Sequence, residues 1–252
     1  MNLGFHIIGE LGDLVGQGRR RECYLVPGKN VCVKFYRSPN NLPRNTRCGV
    51  RIDIALGRRF RCLNINFREW QYHRQLLSHL PAELSALFPE YTEPVFCPDR
   101  GWGIQESLIL NADGTLPRRI LHELAELDSP ALARRLYQEA AKLYQRLAEQ
   151  GVCFFDVSNV LVQWTGTGAF RLRIADFEPS CRALLPGLIH IRPYVTCKVR
   201  RRARRFLKRM ERVLEAKGFS VFPEKTLSHA RSLRNRPVFG LYRLIARRVG
   251  LI

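Results

Sequence analysis

In the first forty residues the apolar positions come in short runs broken by glycine. FHIIGELGDLVGQG ends in Gly16 and Gly18, RECYLVPG follows, and NVCVKFY alternates Val31, Val33 and Phe35 against Cys32, Lys34 and Tyr36. This pattern predicts an antiparallel meander with a glycine-bearing first turn. Residues 38–62 hold Pro, Asn and Gly without a clean period, which predicts an inserted loop with one helical turn. From Asn66 the period becomes helical: Trp70, His73, Leu76, Leu77 and Leu80 share a stripe, Asn66 and Glu69 have capping-box spacing, and Pro81 closes the helix. EPVF and GWGIQESLIL then read as strands, followed by a turn at NADG, 111–114.

The strongest helical period lies at 130–150, where Leu132, Leu136, Ala140, Leu143 and Leu147 form one stripe. Ser129 is placed to cap it, Pro130 suits its first turn, and Gly151 stands just past its end. VCFF follows as a further strand, and NVLVQW and FRLRIADF, joined by TGTG, read as a hairpin. Helical spacing returns at 198–218, with Val199, Ala203, Phe206, Leu207, Met210, Val213 and Leu214 inward and Gly218 as the stop. This order of strands, helix, strands, long helix, hairpin and basic helices predicts an α+β fold.

Charge changes the picture at one end only. The net charge is +20, and residues 198–252 carry 17 Lys/Arg against three Glu, so that 14 of those charges sit in the last quarter. A face this basic suits a phosphate-rich or anionic partner better than solubility alone requires. The eight cysteines are scattered, without C-x-x-C or zinc spacing, and read as reduced thiols rather than a disulfide framework or a structural metal site. No apolar run has membrane-spanning length, and the start MNLGFHIIGELGD lacks a signal-peptide pattern, so a cytoplasmic protein is expected.

Several polar residues fall in positions that point inward. Asp176 continues the phase of Phe170, Leu172 and Ile174, which makes it either a strand-end turn former or a metal ligand. Asn159 opens the facing strand, and the two together offer hard oxygen ligands of the kind magnesium takes. Lys34 sits in an apolar strand, as a snorkelling edge residue or as one half of an ion pair with the helical Glu69, which has its own local reading as a capping carboxylate. Gly16 and Gly18 are turn residues or a backbone cradle for phosphate. Asp156, in GVCFFDVSNVLVQW, is a turn residue or a catalytic group. The order of glycine loop, strand Lys, helix Glu, Asp/Asn loop and hairpin Asp is that of a phosphoryl-transfer site.

In that order the chain resembles a diverged protein-kinase-like fold. More narrowly, GQGRRRECYLVP, VCVKFYR, REWQYH, SNVLVQ and YVTCKVRRRARRFLKR resemble the YrbL-type PhoP regulatory network proteins of bacteria. The resemblance implies two lobes: a small antiparallel β N-lobe with one helix over 1–108, and a mostly helical C-lobe whose catalytic hairpin lies in 109–197 and whose basic helices, 198–252, complete it. It also implies ATP and magnesium as ligands. Gly16 and Gly18 would lie over the phosphates, Lys34 would hold the α and β phosphates and be held by Glu69, and the hinge meeting adenine would fall near 105–108, Glu106 included. Asn159 and Asp176 would hold magnesium, with DFE where kinases have DFG. The family pattern places the catalytic base at Phe154, which cannot accept a proton, so either Asp156 takes over or no base is present.

Two functions follow from the resemblance. One is an ATP-magnesium-binding protein of a bacterial regulatory or envelope-stress system that transfers phosphate to a small-molecule, glycolipid or protein hydroxyl. The other is an inactive pseudokinase that serves as a basic binding module. For the partner of Arg200, Arg201, Arg204 and Arg205, an anionic membrane or phosphorylated glycolipid surface at the inner membrane face ranks above RNA. The aromatics of that quarter fall mostly on apolar stripes and leave few rings for base stacking.

Overall fold

The computed structural model describes residues 6–18, 20–176 and 191–219, and its architecture is α+β. The strands β1 (His6–Ile7), β2 (Leu14–Gln17), β3 (Arg21–Leu25), β4 (Val31–Tyr36), β5 (Tyr91–Cys97) and β6 (Gly101–Ser107) form a mixed sheet in the order β1-β5-β6-β4-β3-β2. The expected meander is β2 to β4. The sheet departs from the expected all-antiparallel form at one edge, where β1 runs parallel to β5. Alternation along β4 divides its side chains. Val33 and Phe35 join Val95 and Cys97 in an apolar cluster, whereas Lys34 and Tyr36 point the other way.

The second face is covered by α1 (Cys48–Arg59) and α2 (Ile65–Leu77). A three-turn α1 replaces the loop expected over 38–62, and its inward side is sparse: only Ile54 and Gly57 are buried. Gly57 is needed there, because a Cβ on it would stand 2.5 Å from the ring of Tyr36. The cap of α2 is Asn64 rather than Asn66. Its side chain accepts from the Asn66 N–H at 2.8 Å while its amide donates to the carbonyls of Gly57 and Trp102. Glu69 therefore serves no capping box, and α2 ends at Leu77, before Pro81, which caps the one-turn α3 (Ala82–Ser85).

The rest of the chain packs around α5 (Pro130–Glu149). Ser129 caps it and Gly151 (φ +68°) follows it, as expected. Its stripe of Ala133, Leu136, Ala140, Leu143 and Leu147 meets α4 (Ile120–Glu126), which the sequence reading missed, and α6 (Arg192–Ala216). It also meets a three-stranded sheet of β7 (Arg118–Arg119), β8 (Val160–Gly166) and β9 (Ala169–Ile174). The expected basic helix is α6. It begins six residues before Lys198, at Arg192, and buries Val199, Ala203, Phe206, Met210 and Leu214 on the expected side.

VCFF, 152–155, is not a strand. It is an irregular segment whose four side chains are all buried, and its backbone groups are met locally and by side chains of the flanking helices instead of a neighbouring strand. The Val152 N–H donates to the Leu147 carbonyl at 2.9 Å and the Phe154 N–H to the Val152 carbonyl at 2.7 Å, while the Tyr72 hydroxyl accepts from the Cys153 N–H and Arg202 donates to the Phe155 carbonyl at 2.6 Å. Just beyond it the Tyr144 hydroxyl donates to the Val157 carbonyl at 2.7 Å. Among the described residues no helix is long and apolar enough to cross a membrane. The expectations for Phe177 and Glu178 of DFE, for the Cys181 thiol and for residues 220–252 of the basic C-terminal helices lie outside the described residues.

Candidate functional site

Between the six-stranded sheet and the β8–β9 hairpin lies a buried charge cluster. Lys34, on β4, donates to Glu106 at 2.8 Å and to the Ala175 carbonyl at 2.7 Å. The register places Glu106 opposite Cys32 on the adjoining strand, one pleat from Lys34 on the same face. Arg21, the first residue of β3, bridges Glu69 of α2 and Asp176 just after β9, and donates also to Asn66 Oδ1 at 3.2 Å. Glu69 accepts in addition from the Tyr91 hydroxyl at 2.6 Å, and the Tyr91 ring lies 4.1 Å from that of His73.

The ion pair of Lys34 with Glu69 is thus replaced by two pairs, Lys34 with Glu106 and Arg21 with Glu69. The physical reason is Arg21. Its planar fork reaches two carboxylates at once, which a lysine cannot do, and the sheet register already brings Glu106 to Lys34. The Glu106 carboxylate consequently faces inward on Lys34. Lys34 itself is on a central strand and buried, which removes the snorkelling reading.

Among the described residues Lys34 and Arg21 face three carboxyl groups here, those of Glu106, Glu69 and Asp176. Burial and these charged neighbours pull the titration of each group in opposite directions. Burial works against the charged form of Lys34, but Glu106, Asp176 and Glu69 outweigh it and hold the ammonium above its ordinary range. Burial pushes the Glu106 carboxyl up, and Lys34 offsets this only in part. Burial also opposes ionisation of Asp176, yet Arg21 and Lys34 prevail and hold its carboxyl below the usual range, with a further contribution from Arg119. Burial, seconded by Lys34, lowers His73 to about 4, so its imidazole is neutral at pH 7.

Asn159 stands opposite Ala175 at the neck of the hairpin, where the Ala175 N–H donates to the Asn159 carbonyl at 3.1 Å beyond the Val160–Ile174 pair, and Asp176 is the next residue. An amide oxygen and a carboxylate at one hairpin neck are hard ligands of the kind a divalent cation takes. Two further polar atoms, Asn66 Nδ2 and His73 Nε2, are buried without a hydrogen-bond partner among the described residues.

The other expected residues fall as follows. Gly16 pairs with Cys23 in the ladder, and the Gly18 N–H donates to the Arg21 carbonyl at 2.8 Å, so that N–H closes the β2–β3 turn. Asp156 is exposed, accepts from the Ser158 hydroxyl at 2.6 Å and gives its carbonyl to the Asn159 N–H, which is the geometry of a turn residue. Phe154, at the position of the base in the family pattern, is fully buried. The residue that sequence reasoning missed is Arg21. Its signal was available: it stands at the head of the short strand RECYL, within the glycine-arginine motif quoted above. The β3–β4 register also brings two of the scattered cysteines together, with the Cys23 and Cys32 thiols and a Glu106 oxygen all within 4.8 Å of one another.

Compared with models of known protein families and with curated protein sequences, the chain shows no significant match to any.

Proposed function

We propose that the chain is a kinase-like, magnesium-ATP-binding protein of the YrbL type, built as two lobes with the charge cluster in the cleft between them, and that it serves a bacterial regulatory or envelope-stress system. The observation that carries this reading is the bond from Lys34 to the Ala175 carbonyl. It joins residues 141 positions apart and sets the strand lysine beside both Asp176 and Asn159. In this reading Lys34 holds nucleotide phosphates, and Asn159 and Asp176 hold magnesium, which when bound neutralises phosphate charge. Arg21 and Glu106 position Asp176 and Lys34. Binding is better served than proton transfer: Phe154 offers no base, and Asp156 is engaged in its own turn.

The test is magnesium-dependent ATP binding by calorimetry on the full chain. Wild type is expected to bind, and Asp176→Asn and Lys34→Met each to lose at least tenfold in affinity while keeping native circular dichroism. Unchanged affinity in both variants would sink the reading.

A second reading, the basic binding module, is favoured by α6. Its inner face is buried against α5 while Arg200, Arg201, Arg204 and Arg205 are all exposed on the other side. Sedimentation with anionic phosphatidylglycerol vesicles is expected to be strong at low salt, to weaken steeply as salt rises, and to fall when these four arginines become glutamine. Binding indifferent to that change would discard this reading.

A further inference from the structure

Where β2 faces the β7–α4 corner lies an open cavity of about 350 Å3 lined by Gln17, Arg118, Arg119 and His122, all four of them exposed. Among the described residues the lining holds two guanidinium groups, an imidazole and an amide, and no carboxylate. On a chain with a net charge of +20 a basic surface is ordinary, so charge alone says little. Three observations set this place apart.

The first is that it is concave, with the glycine-bearing strand as one wall. Gln17 is fixed there by donating to Glu22 at 3.1 Å. The second is that the two arginines are differently engaged. Arg118 lies 3.3 Å from Glu126, a pair that is exposed on both sides, whereas Arg119 has no carboxylate within ion-pair distance among the described residues. The third is direction. Arg119 pairs with Leu161 in the β7–β8 ladder, two residues beyond Asn159, and its charge acts on Asp176. The Arg119 wall of the cavity thus lies toward the hairpin neck, where Lys34 bonds to the Ala175 carbonyl.

We propose that this cavity is a subsite for a phosphate monoester, with Arg119 as its main anchor and Arg118 and His122 as further donors. A planar guanidinium takes phosphate oxygens in pairs, and two arginines with an imidazole match a dianion with three terminal oxygens. The volume suits a phosphate with a small organic body. Calling that molecule the phosphate acceptor rests on the magnesium-ATP reading; the anion site itself does not. Transfer would join an acceptor hydroxyl oxygen to the γ-phosphorus, release ADP with the bridging electron pair, and leave the hydroxyl proton to solvent.

The experiment is calorimetric titration of the full chain with glucose 6-phosphate and with inorganic phosphate, and separately with the non-hydrolysable magnesium-ATP analogue AMP-PNP. A vesicle arm uses phosphatidic acid in phosphatidylcholine, which carries the same monoester on a lipid. Wild type is expected to bind one monoester saturably, Arg119→Gln to weaken that at least tenfold, and Arg118→Gln/Arg119→Gln to abolish it. AMP-PNP affinity should stay within twofold, and Arg44→Gln/Arg47→Gln, which removes equal charge elsewhere, should change nothing. Arginine-dependent capture of phosphatidic acid vesicles alone assigns the site to a lipid headgroup, and capture of the soluble monoester alone to a free phosphate; either supports the subsite.

Absence of saturable monoester binding in both arms overturns it, as does binding that survives the double variant. An equal loss of AMP-PNP binding in Arg119→Gln also overturns it, by assigning the arginine to the nucleotide. Monoester binding without nucleotide binding upholds the subsite and removes the magnesium-ATP reading, and nucleotide binding without monoester binding does the reverse.

Discussion

Arg21→Ala is expected to destabilise the fold by about 3–5 kcal/mol, the range found when one partner is taken from a buried ion pair. The arginine side chain is 8% exposed and Glu69 is fully buried, so water cannot replace what is lost. Removing it takes a cation from both Glu69 and Asp176, and it unties Asn66 as well. Arg21→Lys keeps the charge but not the fork that spans Glu69 and Asp176, and is expected to recover less than half of the loss. Urea denaturation at pH 7 reads both variants. A loss below about 1 kcal/mol in Arg21→Ala would mean that the cluster is hydrated rather than buried, since exposed pairs are worth that little.

The second large effect is a coupling. Lys34→Met is expected to cost about 3–5 kcal/mol for the same reason, because it strands Glu106 in the sheet and frees the Ala175 carbonyl. Lys34→Met combined with Glu106→Gln should lose clearly less than the sum of the two single changes, since the charge left stranded is then gone. The same cycle run with Glu69→Gln in place of Glu106→Gln should show a clearly smaller coupling, because Glu69 acts on Lys34 only through space and bonds to Arg21. Denaturation of the single and double variants gives both couplings. Strong coupling to Glu69 and none to Glu106 would reverse the pairing described above.

What could be read in advance follows from how local its cause is. The helix at 130–149 was legible because Ser129, Pro130, the apolar stripe and Gly151 all lie within it or beside it. The inner face of α6 and the β8–β9 hairpin were legible on the same ground. The helix Cys48–Arg59 was not, since one of its two buried residues is Gly57, packed against the Tyr36 ring, and a glycine leaves no apolar mark in the sequence. VCFF has the composition of a strand, but whether an extended run becomes one depends on a neighbour with free edge groups. Here Tyr72, Arg202 and local backbone carbonyls supply the partners instead.

The candidate site shows the same division. Lys34, Asn159 and Asp176 stood out because polar residues in an apolar phase are costly wherever they end up. Which carboxylate each cation would take was not written locally. Glu69 and Glu106 both lie tens of residues from Lys34, and the choice between them is made by the β4–β6 register together with the reach of Arg21. Asp156 had the look of a catalytic group only while the turn beneath it was unknown.

The contacts of Arg21 and Lys34 with residues 175 and 176 fasten the end of β9 to the six-stranded sheet by two bolts of different kind. The lysine bolt rests on a neutral backbone carbonyl, which draws a competing cation less strongly than a carboxylate does. The arginine bolt rests on a carboxylate, which any cation that claimed Asp176 would have to share. Occupancy at Asp176 would therefore loosen one bolt before the other, and the freed arginine would remain tethered to Glu69 and thus to α2. A metal bound at the hairpin, as the magnesium-ATP reading supposes, would be registered first at the root of β3, through a side chain the metal need not touch.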